Sequence, residues 1–144
     1  MRSCNDLMTM DPTCCLASDP VSRAAQIMKD DDVGSVPVVD DASTKKLVGI
    51  LTDRDIVIQV VAGGKSCAEV KVEEIMTKNP VTCKPEEDVQ NAMDRMSQHQ
   101  VRRIPVVDGR GRIVGIIAQA DLATRMDRPE QTEKVLEGIS QPVS

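Results

Sequence analysis

The sequence predicts an α+β fold assembled from two copies of one small unit, and three observations carry that expectation. Residues 7–40 lie over residues 75–108 at an offset of 68, with 12 of 34 positions identical, where unrelated segments share about two. Each copy holds an apolar stripe of helical period followed by two short β-rich runs. PVVD recurs at residues 37–40 and 105–108, and VGI at 48–50 and 114–116, where a loop two residues shorter lowers the offset to 66.

Taken in chain order, Ser18 or Asp19 can cap a helix that has Pro20 at its first position, a place where a missing amide hydrogen costs nothing. Val21, Ala24, Ala25 and Met28 then recur at i, i+3, i+4 and i+7, and Val89, Ala92, Met93 and Met96 repeat the stripe. Strands are expected over 36–39 and 47–51 around the polar turn DDASTKK, and over 104–107 and 113–117 around DGRGR. A second helix begins near Asp53 in the first copy and near Gln119 in the second, and Gly63-Gly64 ends the former. These signals divide the chain into a first repeat at 3–63, a linker at 64–74, a second repeat at 75–128 and a tail at 129–144, which carries a short helix around Thr132 to Leu136.

The chain's 144 residues suffice for a real core. Hydrophobic residues make up 40% of it, yet no window approaches the roughly 18 consecutive apolar residues of a membrane span, so no membrane association is expected. The N-terminal MRSCNDLMTMDPT lacks the apolar run of a secretory signal, which predicts a cytoplasmic protein with reduced cysteines. A formal net charge of −5 argues against a nucleic-acid partner. With no Phe, Tyr or Trp, any bound purine must lie between aliphatic groups, and the core must be filled by Val, Ile and eight methionines.

The repeat, together with GILTDRD, PVVD and the leading IMT, resembles a tandem pair of cystathionine β-synthase (CBS) domains over about residues 3–128. TDRDIVI and HQVRRIPVV are especially similar to small stand-alone prokaryotic CBS-pair proteins of the hypoxic response type. The resemblance implies two β-α-β-β-α repeats packed about a pseudo-twofold axis, the Bateman module. It also implies a non-catalytic regulatory protein that senses an adenosine-containing ligand of the AMP, ADP or ATP class in the cleft between the repeats, and it implies a homodimer. The stripes at 21–28 and 89–96 exceed what one small module is expected to cover, and so predict the dimer surface. No cofactor is required beyond the regulatory nucleotide, and an unidentified protein partner is left open.

Site residues follow from the motifs. A strand ending in Gly-h-h-Thr that turns into a helix places the Thr52 hydroxyl and the amides near Asp53 where a phosphate or ribose oxygen is favoured. Asp55 offers a carboxylate suited to paired ribose hydroxyls, the use its family makes of it. The alternative is that Thr52, Asp53 and Asp55 only cap the helix. Under the packing the resemblance implies, Arg102 and Arg103 face Thr52 and Asp55, where a contact to phosphate contributes about 1.5 to 3 kcal/mol; because adjacent strand residues point to opposite faces, only one of them enters, and the alternative is a solvated pair that keeps a strand edge from pairing wrongly. Val81 and Thr82 fall where the family's short strand touches the base, and Val36, Pro37 and Ile50 supply an aliphatic wall, with core packing as their alternative role. The same implied packing gives a second, weaker cleft that would combine Asp121 with Ser35, Gly34, Thr13 and Cys14, with Ala118 standing where the first has Thr52.

Other motifs are set aside. AGGKS lacks the glycine a P-loop needs, because Gln59 occupies that position. No metal site is expected from five cysteines without a C-x-x-C pair and one histidine, His99, and no catalytic residue or triad can be assembled. A rival reading is a redox-responsive or purely structural dimeric interaction protein, in which Cys14 or Cys15 reaches Cys83 and the ligand sites are vestigial.

Overall fold

The structure, a computed structural model, describes residues 2–125; the helix expected around Thr132 to Leu136 lies outside them. In chain order the elements are α1 (Cys4–Leu7), β1 (Thr9–Met10), β2 (Cys15–Leu16), α2 (Val21–Asp31), β3 (Ser35–Val39), β4 (Leu47–Thr52), α3 (Asp53–Ile56) running into a π-helical turn (Val57–Val61), α4 (Val72–Ile75), β5 (Thr77–Lys78), α5 (Val89–His99), β6 (Arg103–Val107), β7 (Ile113–Ala118) and α6 (Gln119–Arg125). The fold is α+β, as expected.

Its compact units are not the sequence repeats. One unit is Thr13–Pro80, and the other joins residues 2–12 to residues 81–125. The cause is an exchange of leading segments. β5 opens the second copy but closes the sheet of the first, in the order β2-β3-β4-β5, with Thr77 opposite Ile50 and Lys78 opposite Gly49. Reciprocally, β1 pairs antiparallel with β7 in the order β1-β7-β6, with Thr9 opposite Ile116 and Met10 opposite Gly115.

The exchanged segments also satisfy helix ends, whose first amides have no partner within the helix. The Val21 amide donates to the Val70 carbonyl at 2.8 Å and Ser22 to Cys67 at 3.0 Å, while Val89 donates to Arg2 at 2.9 Å. Residues 64–74 are therefore docked against the start of α2 rather than loose, and they include the buried Val70 and Val72. α2 itself begins at Val21 with Pro20 as the extended cap residue; Asp19 does not cap it, because its carboxylate accepts from the Leu16 amide at 2.8 Å. α5 is capped by Asp88, whose carboxylate accepts from Gln90. Left-handed residues recur at the repeat offset: Asp11 with Asn79, Asp32 with Gln100, and Lys45 with Gly111. The two copies thus share backbone conformation where their side chains differ.

Each unit has its own core. In the first, Val21, Ala24 and Ile27 pack with Val36, Val38, Leu51, Val60 and Val72. In the second, Val89, Ala92, Met93 and Met96 pack with Cys4, Ile104, Val106, Ile117 and Leu122. The expectation that these stripes form a dimer surface is overturned, since Val21, Ala24, Ala92, Met93 and Met96 are 0% exposed. One helix stripe laid on one sheet face, with the exchanged short helix beside them, covers the apolar area internally. Large exposed apolar side chains gather instead on the π-helical turn: Val57, Ile58 and Val61 are 56%, 51% and 61% exposed. No helix among the described residues is long and apolar enough to cross a membrane.

Candidate functional site: two strand-to-helix corners

Each unit carries one corner where the second strand of its hairpin turns into a helix. In the first, β3 and β4 pair with Ser35 opposite Thr52 and Pro37 opposite Ile50. Alternation puts Ser35, Pro37, Ile50 and Thr52 on one face of the sheet, with Val36 and Leu51 on the other. Val36 therefore leaves the set of ligand-wall candidates: it is fully buried in the helix-side core, and a strand cannot show Val36 and Pro37 to the same side.

At the corner the helix-cap role of the motif is realised. The Thr52 hydroxyl accepts from the Asp55 amide at 3.1 Å, and Asp55 Oδ2 accepts from the Thr52 amide at 3.1 Å, a reciprocal capping box. The Asp53 carboxylate accepts from the Arg54 amide at 2.8 Å, and the Asp53 amide donates to the Gly34 carbonyl at 2.9 Å. Capping does not exhaust these groups, because the Thr52 hydroxyl still has a proton to donate and Asp55 keeps a second carboxylate oxygen, both on half-buried side chains.

The second corner has the same backbone and different chemistry. Arg103 stands opposite Ala118, and the Gln119 amide donates to the Arg102 carbonyl at 2.8 Å, as Asp53 does to Gly34. Arg103 is half-buried and shares the sheet face of Pro105, Ile116 and Ala118, whereas Arg102 precedes the strand and is exposed. Asp121 lies in the first turn of α6. Gln119 Oε1 is buried without a hydrogen-bond partner among the described residues. Within the units, then, Ser35 is the neighbour of Thr52, and Arg103 is the neighbour of Ala118. Thr52, Asp53 and Asp55 belong to one unit and the two arginines to the other.

Of the base-side candidates, Thr13 and Cys14 precede β2, with Thr13 exposed and Cys14 half-buried. Val81 packs against the second core. The Thr82 carbonyl accepts from Arg95 at 2.8 Å, and Arg95 is held in turn by Glu87 at 2.7 Å. Arg95 was not singled out by the sequence reading, and its only signal was that it occupies the place of the buried Ile27 in the other copy. Among the described residues no cluster of three or more His, Cys, Asp or Glu is placed to hold a metal ion.

Comparison with known proteins agrees with the repeat. The CBS domain model matches residues 4–62 and again 72–128. The chain is 38% identical to the uncharacterized protein YlbB of Bacillus subtilis over 141 residues, covering 98% of this chain and 93% of that one. It is 33% identical to Hypoxic response protein 1 of Mycobacterium tuberculosis over 126 residues, covering 88% and 86%. A crystal structure of Hypoxic Response Protein I with two coordinated zinc ions superposes at a TM-score of 0.79, covering 87% of this chain and 99% of that one. The CBS domain pair of protein MJ0100, in complex with 5′-methylthioadenosine and S-adenosyl-L-methionine, superposes at 0.75 with 31% identity, covering 86% and 94%. With both copies matched and relatives aligned over most of their own length, this chain belongs to the CBS domain family and carries the domain twice.

Proposed function

We propose that this protein is a non-catalytic regulatory module whose ligand contains adenosine, with the Thr52–Asp55 corner as its principal contact. The observation that carries the reading is the division of labour at that corner. One oxygen of Asp55 serves the capping box and the other is left to accept from a ribose, next to a sheet face on which the half-buried Ile50, beside the buried Pro37, is the aliphatic group left for a purine. The 5′-methylthioadenosine and S-adenosyl-L-methionine bound by the MJ0100 pair support the adenosine class. Arg103 is the proposed phosphate contact, since it stands on the ligand-type face of its sheet and Arg102 does not. AMP, ADP and ATP are the ligands that would use it.

Calorimetric titration of nucleotide-free protein with AMP, ADP, ATP, adenosine and S-adenosylmethionine tests the proposal. Asp55→Ala should weaken binding at least about tenfold, which corresponds to 1.4 kcal/mol, and Asp121→Ala much less. Because the capping box is lost as well, Asp55→Ala should also lower stability by about 0.5 to 2 kcal/mol, so affinity is measured where the variant is fully folded. Arg103→Ala should lower AMP affinity more than adenosine affinity. A thermodynamic cycle of Asp55→Ala with Arg103→Ala reports whether the two act on one ligand; additive losses, or an Asp121→Ala variant as damaged as Asp55→Ala, would mean that Arg103 serves its own unit's corner.

A homodimer belongs to the same proposal, with its surface placed on Val57, Ile58 and Val61, whose spacing puts them on one side of the helical turn. Light scattering at micromolar concentration should give twice the chain mass, and Ile58→Asp with Val61→Asp should reduce it to one. Retention of the dimer by that double variant would place the interface elsewhere.

A further inference from the structure

Two thiols outside both corners are packed together. Cys4 and Cys83 are 0% and 1% exposed and belong to one core cluster. Their approach is built by the backbone. Ser3 bridges Asp88, the Cys4 amide donates to the Glu87 carbonyl at 2.8 Å, and Asn5 donates to Pro85 at 2.9 Å, so the leading segment runs antiparallel to the segment that follows Cys83. Cys83 Sγ also lies 3.9 Å from the Pro105 carbonyl.

The other copy supplies an internal comparison. Cys15 occupies the equivalent of Cys83, with its Sγ 3.9 Å from the Pro37 carbonyl, but the equivalent of Cys4 is the fully buried Val72. Packing at this position is met by an aliphatic side chain, so the second thiol is not required to fill the core. Cys15 belongs to the core cluster of its own unit, as Cys83 and Cys4 belong to theirs.

We propose that Cys4 and Cys83 form an intramolecular disulfide on oxidation by a peroxide, tying the chain's leading segment covalently to the body of the second copy. In the first step the Cys4 thiolate attacks a peroxide oxygen, giving the sulfenic acid and, with hydrogen peroxide, one water. Cys83 then attacks the sulfenic sulfur and a second water leaves. Two thiols lose two protons and two electrons, and one peroxide becomes two waters. The order of attack follows the surroundings. The hydrogen bond from Cys83 holds Cys4 below the usual thiol range despite its burial, while the same contact and burial push Cys83 up. Access comes through local opening of α1, a four-residue helix whose release exposes Cys4 without unfolding α5.

The test is peptide mapping of the full chain after hydrogen peroxide treatment and blocking of residual thiols. Cleavage before aspartate separates Cys4 from Cys14 and Cys15, and cleavage after lysine separates Cys67 from Cys83. The expected product is a single linked pair, Cys4 with Cys83, with the titre of the five thiols falling by two. The oxidised protein should melt roughly 10 °C higher, reversibly with a dithiol reductant. Cys4→Val, which copies Val72 of the other copy, should fold, form no such link and show no rise. A link joining Cys83 to Cys14, Cys15 or Cys67, or conversion of Cys4 to sulfinic acid with Cys83 still a free thiol, overturns the proposal.

Discussion

Met93→Glu is expected to abolish cooperative folding of the unit that contains α5 at neutral pH. Met93 is 0% exposed and packs with Met96, Ile104 and Ile117. The substitution removes the apolar contacts and places a carboxylate where none of the side chains of that cluster can pair with it. Loss of a buried methionine costs about 2 to 5 kcal/mol, and an unpaired buried charge adds several more. Against a total stability of about 5 to 15 kcal/mol, the sum leaves little or nothing. Thermal melts followed by circular dichroism should show no transition of wild-type size at neutral pH. Some recovery is expected near pH 5, because burial raises the carboxyl's pKa and the neutral acid is cheaper to bury. Met93→Leu is the control and should cost less than about 1.5 kcal/mol. A Met93→Glu protein that folds normally but is monomeric would restore the stripe to the role of an interface and contradict the core described above.

That contrast marks where the sequence was legible. The periodicity of α2 and α5 located the stripes correctly, but the same pattern serves an internal core and an external interface. Only the presence of α4 over one unit and α1 over the other decides between them. Short elements of four residues, such as Cys4–Leu7 and Val72–Ile75, carry too few positions for a period to be read, so residues 64–74 appeared as a linker and the segment exchange was invisible. The hairpins were legible nearly to the residue, because β-branched runs ended at polar turns. At the corner, Thr52 and Asp55 were named for both capping and binding, and the capping box is present. Val36 was misplaced because a run of VPVV hides the alternation that strand geometry imposes. Cys4 was passed over because a lone cysteine at the head of the first repeat has no motif, and its neighbour Cys83 lies far along the chain.

Alanine at the glycine of each VGI should be costly, and unequally so. A Cβ on Gly49 would stand 2.6 Å from Met76 Sδ and 2.8 Å from the Thr77 carbonyl oxygen, and β5 cannot retreat from the latter without losing its pairing with β4. A Cβ on Gly115 would collide with Met8 Sδ and stand 2.7 Å from Met8 Cγ and 3.0 Å from Met8 Cβ, so there the three nearest obstacles belong to one side chain. Overpacking of a formed core costs about 1 to 3 kcal/mol, occasionally more. Gly115→Ala should fall inside that range and Gly49→Ala at or above its top, measured by denaturant unfolding. Met8→Ala removes Sδ and Cγ and should therefore rescue Gly115→Ala with a coupling of about 0.5 to 3 kcal/mol. Met76→Ala should rescue Gly49→Ala only in part, since the Thr77 carbonyl remains. Met8 lies in the leading segment of the first copy and Gly115 in the second, whereas Met76 lies in the leading segment of the second copy and Gly49 in the first. Coupling within these pairs is what an exchange of leading segments requires. Were each repeat closed by its own leading segment, Met8 would couple to Gly49 and Met76 to Gly115 instead.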